Sequence, residues 1–369
     1  MDKKKILIVS RSFYPENSPR SNRTTELAKE FALQGHKVTV LTPKKTDIHS
    51  SFEKEHNLTI KDLGTPRWKN PDFGKSRMGY LLTRAASRFL SLAFEYPSIE
   101  LMFLVSKALK KENEYDLLIS IAVPYPIHWG VATIWNKNQA IAKTWVADCG
   151  DPYMGCETDS FKKWFYFKYV EKWFMRKADA ITIPVESARS AYYKQYHNKI
   201  HVIPQGFKIK PIETNKTSEN KIISFAYAGG FIPEIRDPRS FLDYLSRVQG
   251  DFIFYIFTNN TRLIERFKSE LGDKLQIKSY IPREELIRFL STMDFVVNFD
   301  NNTGAAVPSK LIDYKIVNKP VLNIKKELDI KTIQDFFIRD YRNAMKIDSI
   351  DQYRIENVCA QFLELTEQK

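Results

Sequence analysis

The first forty-two residues constrain the fold most. Ile6-Leu7-Ile8-Val9 is a short, continuous apolar run; Leu27, Ala28, Phe31 and Ala32 then recur at helical spacing, with Gly35 as a helix-ending residue. Lys37-Val38-Thr39-Val40-Leu41-Thr42 is a second strand-like run. Strand, helix, strand in that order is a βαβ unit, which predicts a parallel sheet with ligands at the carboxyl ends of its strands. The loop from Arg11 to Arg23 holds no glycine. A dinucleotide-binding fingerprint needs glycines there, for the turn and for close approach of a pyrophosphate, so a dehydrogenase is excluded. Arg20 and Arg23 remain in that loop as groups suited to an anionic part of a substrate.

Further apolar runs follow: Asp116 to Ile121, Thr144 to Ala147, Ala180 to Ile183 and Ile200 to Ile203, with Ser187 expected to cap a helix between the last two. The segments after two of these strands carry His128, Asp148 and Asp151, which fall in the same crevice as the arginine loop. The first domain closes near Pro204, and residues 205–220 are polar and unpatterned, as a linker is. A second strand-first series opens at Ile222 and ends its first strand in Gly229-Gly230. The expected organisation is a domain over 1–204, a linker over 205–220, a second domain over 221–349 and a terminal helix over 350–369 that is able to return to the first domain. The class is α/β, with two Rossmann-like domains facing across a cleft.

Chemistry concentrates between Asn301 and Tyr314, a polar loop and helix start held between the apolar runs Phe295 to Phe299 and Pro320 to Ile324. Ser309 is a good N-cap, which leaves the first helical amides pointing into the loop, where they can receive an anion. Lys310 sits in the first turn, where the helix dipole disfavours a cation unless a bound anion reverses the sign. Asp313 follows one turn later on the same face. Together they read as a phosphate ligand and an acceptor for a ribose hydroxyl, against the plainer reading of a lysine and an aspartate on an ordinary surface helix.

The formal net charge of +13 and pI near 9.3 favour an anionic partner. Three cysteines, Cys149, Cys156 and Cys359, make neither a disulfide framework nor a zinc spacing, which fits a reducing cytoplasm. No apolar stretch is long enough to span a bilayer, and the apolar run after the N-terminal lysines is too short for a signal peptide. Residues 66–111 mix basic and aromatic side chains, and 161–177 reads as one basic, aromatic-rich helix. That helix suits either the headgroup layer of an anionic membrane or a core position with snorkelling lysines.

Several segments, taken in order, carry a resemblance. They are Phe13-Tyr14-Pro15 after the first strand; Gly35-His36-Lys37-Val38; Asp148-Cys149-Gly150-Asp151-Pro152; Ala178-Asp179-Ala180-Ile181; Ile203-Pro204-Gln205-Gly206-Phe207; and Val307-Pro308-Ser309-Lys310-Leu311-Ile312-Asp313. The chain resembles the two-domain GT-B glycosyltransferases, and among them the retaining family four. The resemblance implies that the second domain binds a nucleotide-sugar through Gly229, Gly230, Arg236, Ser309, Lys310 and Asp313. It implies that the first domain presents the acceptor near Arg20 and Arg23, with Asp151, Asp148 and His128 as catalytic candidates. No metal and no cofactor beyond the nucleotide-sugar itself is implied, because a preorganised cation and a helix N-terminus can stabilise a leaving diphosphate.

Two positions depart from the family pattern. Ala305 stands where many members carry the first of two donor-site glutamates, and Gly150 stands where a histidine or arginine often precedes the acceptor-side aspartate. The expected function is transfer of a sugar to a glycan acceptor in surface polysaccharide or glycolipid assembly, in the cytoplasm and extending to the inner face of a membrane. A nucleotide-sugar epimerase of the same fold and an inactive or basic binding protein are the alternatives; nucleic acid is not an expected partner.

Overall fold

Two sheets, each wholly parallel, organise the chain. The computed structural model describes residues 2–136, 141–155, 162–209, 220–300, 309–347 and 349–367. The chain divides into a first unit, Met1–Ile209 with Asp351–Lys369, and a second, Lys210–Ile350.

In the first unit the elements run β1 (Lys5–Ser10), α1 (Pro19–Leu33), β2 (Lys37–Thr42), α2 (Thr46–His56), β3 (Thr59–Asp62), α3 (Arg77–Phe94) and α4 (Glu100–Leu109). They continue with β4 (Tyr115–Ala122), α5 (Pro126–Ile134), β5 (Ala142–Cys149), α6 (Phe167–Lys177), β6 (Ala180–Ile183) and β7 (Ile200–Val202). The strand order is β3-β2-β1-β4-β5-β6-β7. Both faces of the sheet are covered, which is why the central strands read as unbroken apolar runs. Leu7, Val9, Leu118 and Trp145 pack into the core on one face. Ile6, Ile8, Leu117 and Val146 pack on the other. The order reverses between β1 and β4, so the open crevice of this sheet lies at the carboxyl ends of those two strands.

The second unit runs β8 (Ile223–Ala228), α7 (Arg239–Leu245), β9 (Phe252–Phe257), α8 (Phe267–Leu271), β10 (Leu275–Lys278) and α9 (Arg283–Ser291). β11 (Phe295–Phe299), α10 (Ser309–Val317), β12 (Val321–Ile324) and α11 (Ile330–Phe337) complete it. Its order is β10-β9-β8-β11-β12, which reverses between β8 and β11. The core is largely aromatic, with Phe225 stacked on Phe295 at a centroid distance of 4.6 Å. The last helix, α12 (Ile355–Glu364), belongs to the first unit. It buries Val358, Cys359 and Phe362 in the core that α1 also covers. Lys208 ties the two helices, reaching Glu356 at 2.6 Å and Glu30 at 3.1 Å.

Three local expectations are corrected. The arginine loop ends early, because Ser18 caps α1 by accepting from the Ser21 amide at 3.2 Å and Pro19 opens the helix. Arg20 and Arg23 are therefore helical. No α-helix follows Ser187; two 3₁₀ turns, Glu186–Ala191 and Lys194–Lys199, fill that connection, and the first has no side-chain cap. The aromatic helix begins at Phe167 and residues 162–166 precede it, while position 161, where the sequence puts its start, lies outside the described residues. Trp164 is held outside it, its amide bonded to the Leu92 carbonyl at 3.3 Å.

Candidate active site

In the second unit the backbone leaves β8 at Gly229, whose φ of +148° favours glycine. A Cβ there would lie 2.9 Å from the Tyr227 hydroxyl, which itself donates to the Gly230 carbonyl at 3.0 Å. Ile232 and Arg236 then pair through both backbone hydrogen bonds, at 2.9 and 3.2 Å, and this small loop returns Arg236 toward the strand end. Burial raises the Tyr227 phenol to about 12, opposed by the charge of Arg236 beside it. Arg236 Nε is buried without a hydrogen-bond partner among the described residues. A guanidinium with an unanswered donor in the loop that follows two glycines is a competent anion ligand.

The helix expected to hold phosphate is present as α10, which starts at Ser309. Ser309 and Lys310 occupy its first two positions, and the preceding residues, including Ala305, lie outside the described residues. Asp313 is on α10 as expected, but it already has a partner: Arg283 of α9 reaches Oδ1 at 2.6 Å through Nη2 and 2.8 Å through Nε. Burial raises the Asp313 carboxyl, and Arg283 opposes that rise. Arg283 was missed in the sequence. It carries the same signal that marked Lys310, a cation in the first turn of a helix. Next to the Arg236 loop, a cavity of about 400 Å³ is lined by Glu234, Asp237, Arg239, Asp300 and Lys325, among others. It opens at the carboxyl ends of β11 and β12, where a doubly wound sheet binds ligands.

The acceptor-side candidates in the first unit separate sharply. His128 is fully buried in α5, with Nδ1 2.8 Å from Ser120 Oγ, Nε2 3.6 Å from Cys149 Sγ and its ring stacked on Phe174. Burial lowers it to about 3, only weakly opposed by Asp148, so it is a neutral core residue at physiological pH and not an exposed acid or base. Asp148 is 3% exposed, and its carboxylate takes Arg23 through Nε at 3.1 Å and Nη2 at 2.9 Å, and Thr182 Oγ1 at 2.6 Å. Arg23 is likewise buried and also donates to the carbonyls of Ile203 and Pro204. Both expected roles are corrected: the pair braces β5 against α1, and neither charge faces solvent. Asp151 alone of the three catalytic candidates is exposed, just past the end of β5, with its carbonyl held by the Tyr125 hydroxyl.

Arg20 lies at the crevice end of the sheet, against the loop that follows β5. It is half-buried in the first turn of α1, and a Cβ at Gly150 would lie only 2.1–2.4 Å from its guanidinium atoms. The space that a side chain at position 150 would fill therefore holds a cation supplied from α1. This accounts for one of the two departures noted in the sequence, since glycine is what admits Arg20.

Two Rossmann-like units with glycines at the first strand end of the second define the GT-B class of glycosyltransferases. The family model for Glycosyltransferase Family 4 matches residues 21–210, just over half of the chain, and the chain belongs to that family. Among solved structures, a glycosyltransferase from Rickettsia africae is 12% identical, with a TM-score of 0.62 over 100% of this chain and 99% of that one. HepE of Anabaena, solved with UDP-glucose, is 11% identical, with a TM-score of 0.57 over 99% of this chain and 100% of that one. The lipopolysaccharide outer core galactosyltransferase WaaB is 12% identical, with a TM-score of 0.55 over 98% of each chain. Likeness at these identities is likeness of fold. No curated protein sequence matches the chain.

Proposed function

We propose that the chain transfers a hexose from a nucleotide-sugar to a glycan acceptor with retention of configuration, in surface polysaccharide or glycolipid assembly at the inner face of a membrane. The observation that carries the donor half is Arg236, with its buried Nε unanswered among the described residues and its charge acting on Tyr227, whose hydroxyl holds the Gly230 carbonyl. Departure of a nucleoside diphosphate builds negative charge, and a cation held in place beforehand stabilises it without reorganisation. Ser309 and Lys310 at the start of α10 add a helix N-terminus to the same task, and the Arg283–Asp313 pair offers a carboxylate to the ribose.

On the acceptor side Asp151 and Arg20 take the orienting roles. Retaining transfer on the donor's front face uses the leaving phosphate as base, so a single accessible carboxylate is sufficient. The work that a metal would do falls to Arg236 and the amides at the start of α10. HepE was solved with UDP-glucose and TarM of S. aureus with UDP and an α-GlcNAc-glycerol, which favours a UDP-hexose as the first donor to try. An epimerase of this fold must abstract a carbon-bound proton, and of the three candidates His128, Asp148 and Asp151 burial leaves Asp151 alone exposed.

The test is thermal stability against UDP, GDP, ADP, CDP and dTDP. A diphosphate at about 100 times its dissociation constant should add about 2.7 kcal/mol to the folded state. One diphosphate is expected to stabilise the chain selectively and Arg236→Ala to lose that response; silence toward all five would remove the donor site. With the matching sugar donor, the first product should keep the donor's anomeric configuration by NMR, at an unchanged rate in EDTA. Inversion or loss of turnover in chelator would overturn those two parts of the reading.

A further inference from the structure

Helix α3 is an anomaly in this fold. Of its eighteen residues only Gly79 and Ala93 are buried. The neighbouring α4 shows the usual pattern, burying Leu101, Val105 and Leu109. Yet α3 is strongly apolar on one side. Met78, Leu81, Leu82, Ala85 and Phe89 follow the i, i+3, i+4, i+7, i+11 spacing of a single helical stripe. Met78 is 67% exposed, Leu81 52%, Leu82 50% and Phe89 50%. The helix is firmly placed, with Ser76 capping it by accepting from the Gly79 amide at 3.0 Å, so the exposure is built in.

Two further features decide what covers the stripe. Arg77, Arg84 and Arg88 are spaced i, i+7, i+11, which puts them along one flank of the stripe, and α3 contains no acidic residue. At its C-terminal end the 164–165 turn adds exposed aromatics: Trp164 meets Phe89 edge to face at 5.7 Å, and Phe165 is 71% exposed. An apolar stripe with an arginine border and aromatic rings at one end is the composition of a helix that lies in a bilayer interface. A second copy of the chain would bring no acid from α3 to meet the arginines, whereas anionic lipid phosphates answer them directly.

We propose that α3 and the 164–165 turn dock the first unit on an anionic lipid surface, with Leu82 and Phe89 entering the acyl boundary and Arg77 and Arg84 on lipid phosphates. This rests on the membrane-face location proposed above; of the stretch 161–177, for which the sequence leaves membrane and core both open, it keeps only Trp164 and Phe165 in the contact and puts the rest on α3. Phe174 and Met175 of α6 are in the core instead.

The experiment is flotation of the full chain with vesicles of phosphatidylethanolamine and phosphatidylglycerol, against vesicles of phosphatidylcholine alone. The chain is expected to float with the anionic vesicles only, and less as salt rises. Leu82→Ser with Phe89→Ser should abolish flotation, and Arg77→Glu with Arg84→Glu should weaken it by more than about tenfold. Absence of flotation, equal flotation with neutral vesicles, or variants that float like the parent would overturn the proposal. So would a concentration-dependent dimer in sedimentation velocity that the Leu82→Ser, Phe89→Ser variant loses, since a second copy would then cover the stripe. The diphosphate response is measured on the same variants and is expected to persist. If flotation holds while no diphosphate stabilises the parent, docking stands and the donor reading fails.

Discussion

Arg23→Met is expected to destabilise the first unit by about 3–5 kcal/mol, the cost of stranding one partner of a buried ion pair. The loss is large because Arg20 acts on Asp148 only through its charge and Thr182 is a neutral donor, so neither replaces the two Arg23 hydrogen bonds. Without Arg23, the Asp148 carboxylate keeps only Thr182 at 2.6 Å. The carbonyls of Ile203 and Pro204 lose their donor, and the Phe362 ring of α12 loses a cation 5.2 Å from its centroid. Lysine is a poor replacement, since it cannot reproduce the fork. The double change Arg23→Met with Asp148→Leu should recover much of the stability, because it removes both charges instead of orphaning one. All six tryptophans, at 68, 129, 135, 145, 164 and 173, lie in the first unit, so tryptophan fluorescence during urea unfolding follows that unit alone.

The pH dependence follows from Asp148. Burial by itself would raise its carboxyl, but the charge and hydrogen bonds of Arg23, with smaller help from the charge of Arg20 and the Thr182 hydroxyl, outweigh burial and hold it below its ordinary 3.8. A group depressed on folding contributes stability that is fully present above its unfolded value and fades as pH falls through the folded one. In the variant burial holds the carboxyl up, so the penalty for Arg23→Met should be greatest near neutrality, begin to shrink above 3.8 as the stranded carboxylate takes up its proton, and finish shrinking below it. A penalty constant across that range would mean that Arg23 acts by packing against Phe362.

Much of the fold was legible because it depends on apolar runs and their spacing. Ile6 to Val9, Thr144 to Ala147 and Ile222 to Ala228 were read as parallel strands because both faces of each sheet are covered, and that removes any alternation. The errors came where a local signal competes with tertiary context. Ser18-Pro19 is a helix start, but it sits inside a polar stretch that otherwise reads as loop, which is why the sequence alone puts Arg20 and Arg23 in a loop and not in α1. Arg23, Asp148 and His128 carry the chemistry of catalytic groups, and only burial shows that their charges and hydrogen bonds are turned inward. One-dimensional spacing cannot report that Asp148 meets a side chain 125 residues away. Arg20 beside Gly150 is the converse: a missing side chain in the sequence proves to be the room for a cation from another element.

Glu171→Gln should stabilise the first unit at about pH 8 while changing little at about pH 5. Glu171 is 1% exposed on α6, and burial pushes its carboxyl up to about 7. The Tyr193 hydroxyl donates to Oε2 at 3.0 Å, and the amides of Tyr153 and Met154 favour the ionised form; Oε1 has no hydrogen bond of ordinary geometry among the described residues. Those three donors fail to offset burial. Because the folded value lies above the unfolded 4.5, the folded chain holds this proton more tightly, and stability falls as pH rises from 4.5 through about 7. At about 1.4 kcal/mol per unit of displacement, the whole loss approaches about 3 kcal/mol and levels off above neutrality. Glutamine keeps the shape and a carbonyl for Tyr193 but has no proton to lose, so its advantage should grow over that window. Urea unfolding followed by tryptophan fluorescence at the two pH values reads it directly. An advantage equal at both would mean that the carboxylate is already stabilised by the amides of Tyr153 and Met154. In that case Glu171 serves to brace the segment that carries Asp151, and activity, more than stability, is what the glutamine would lose.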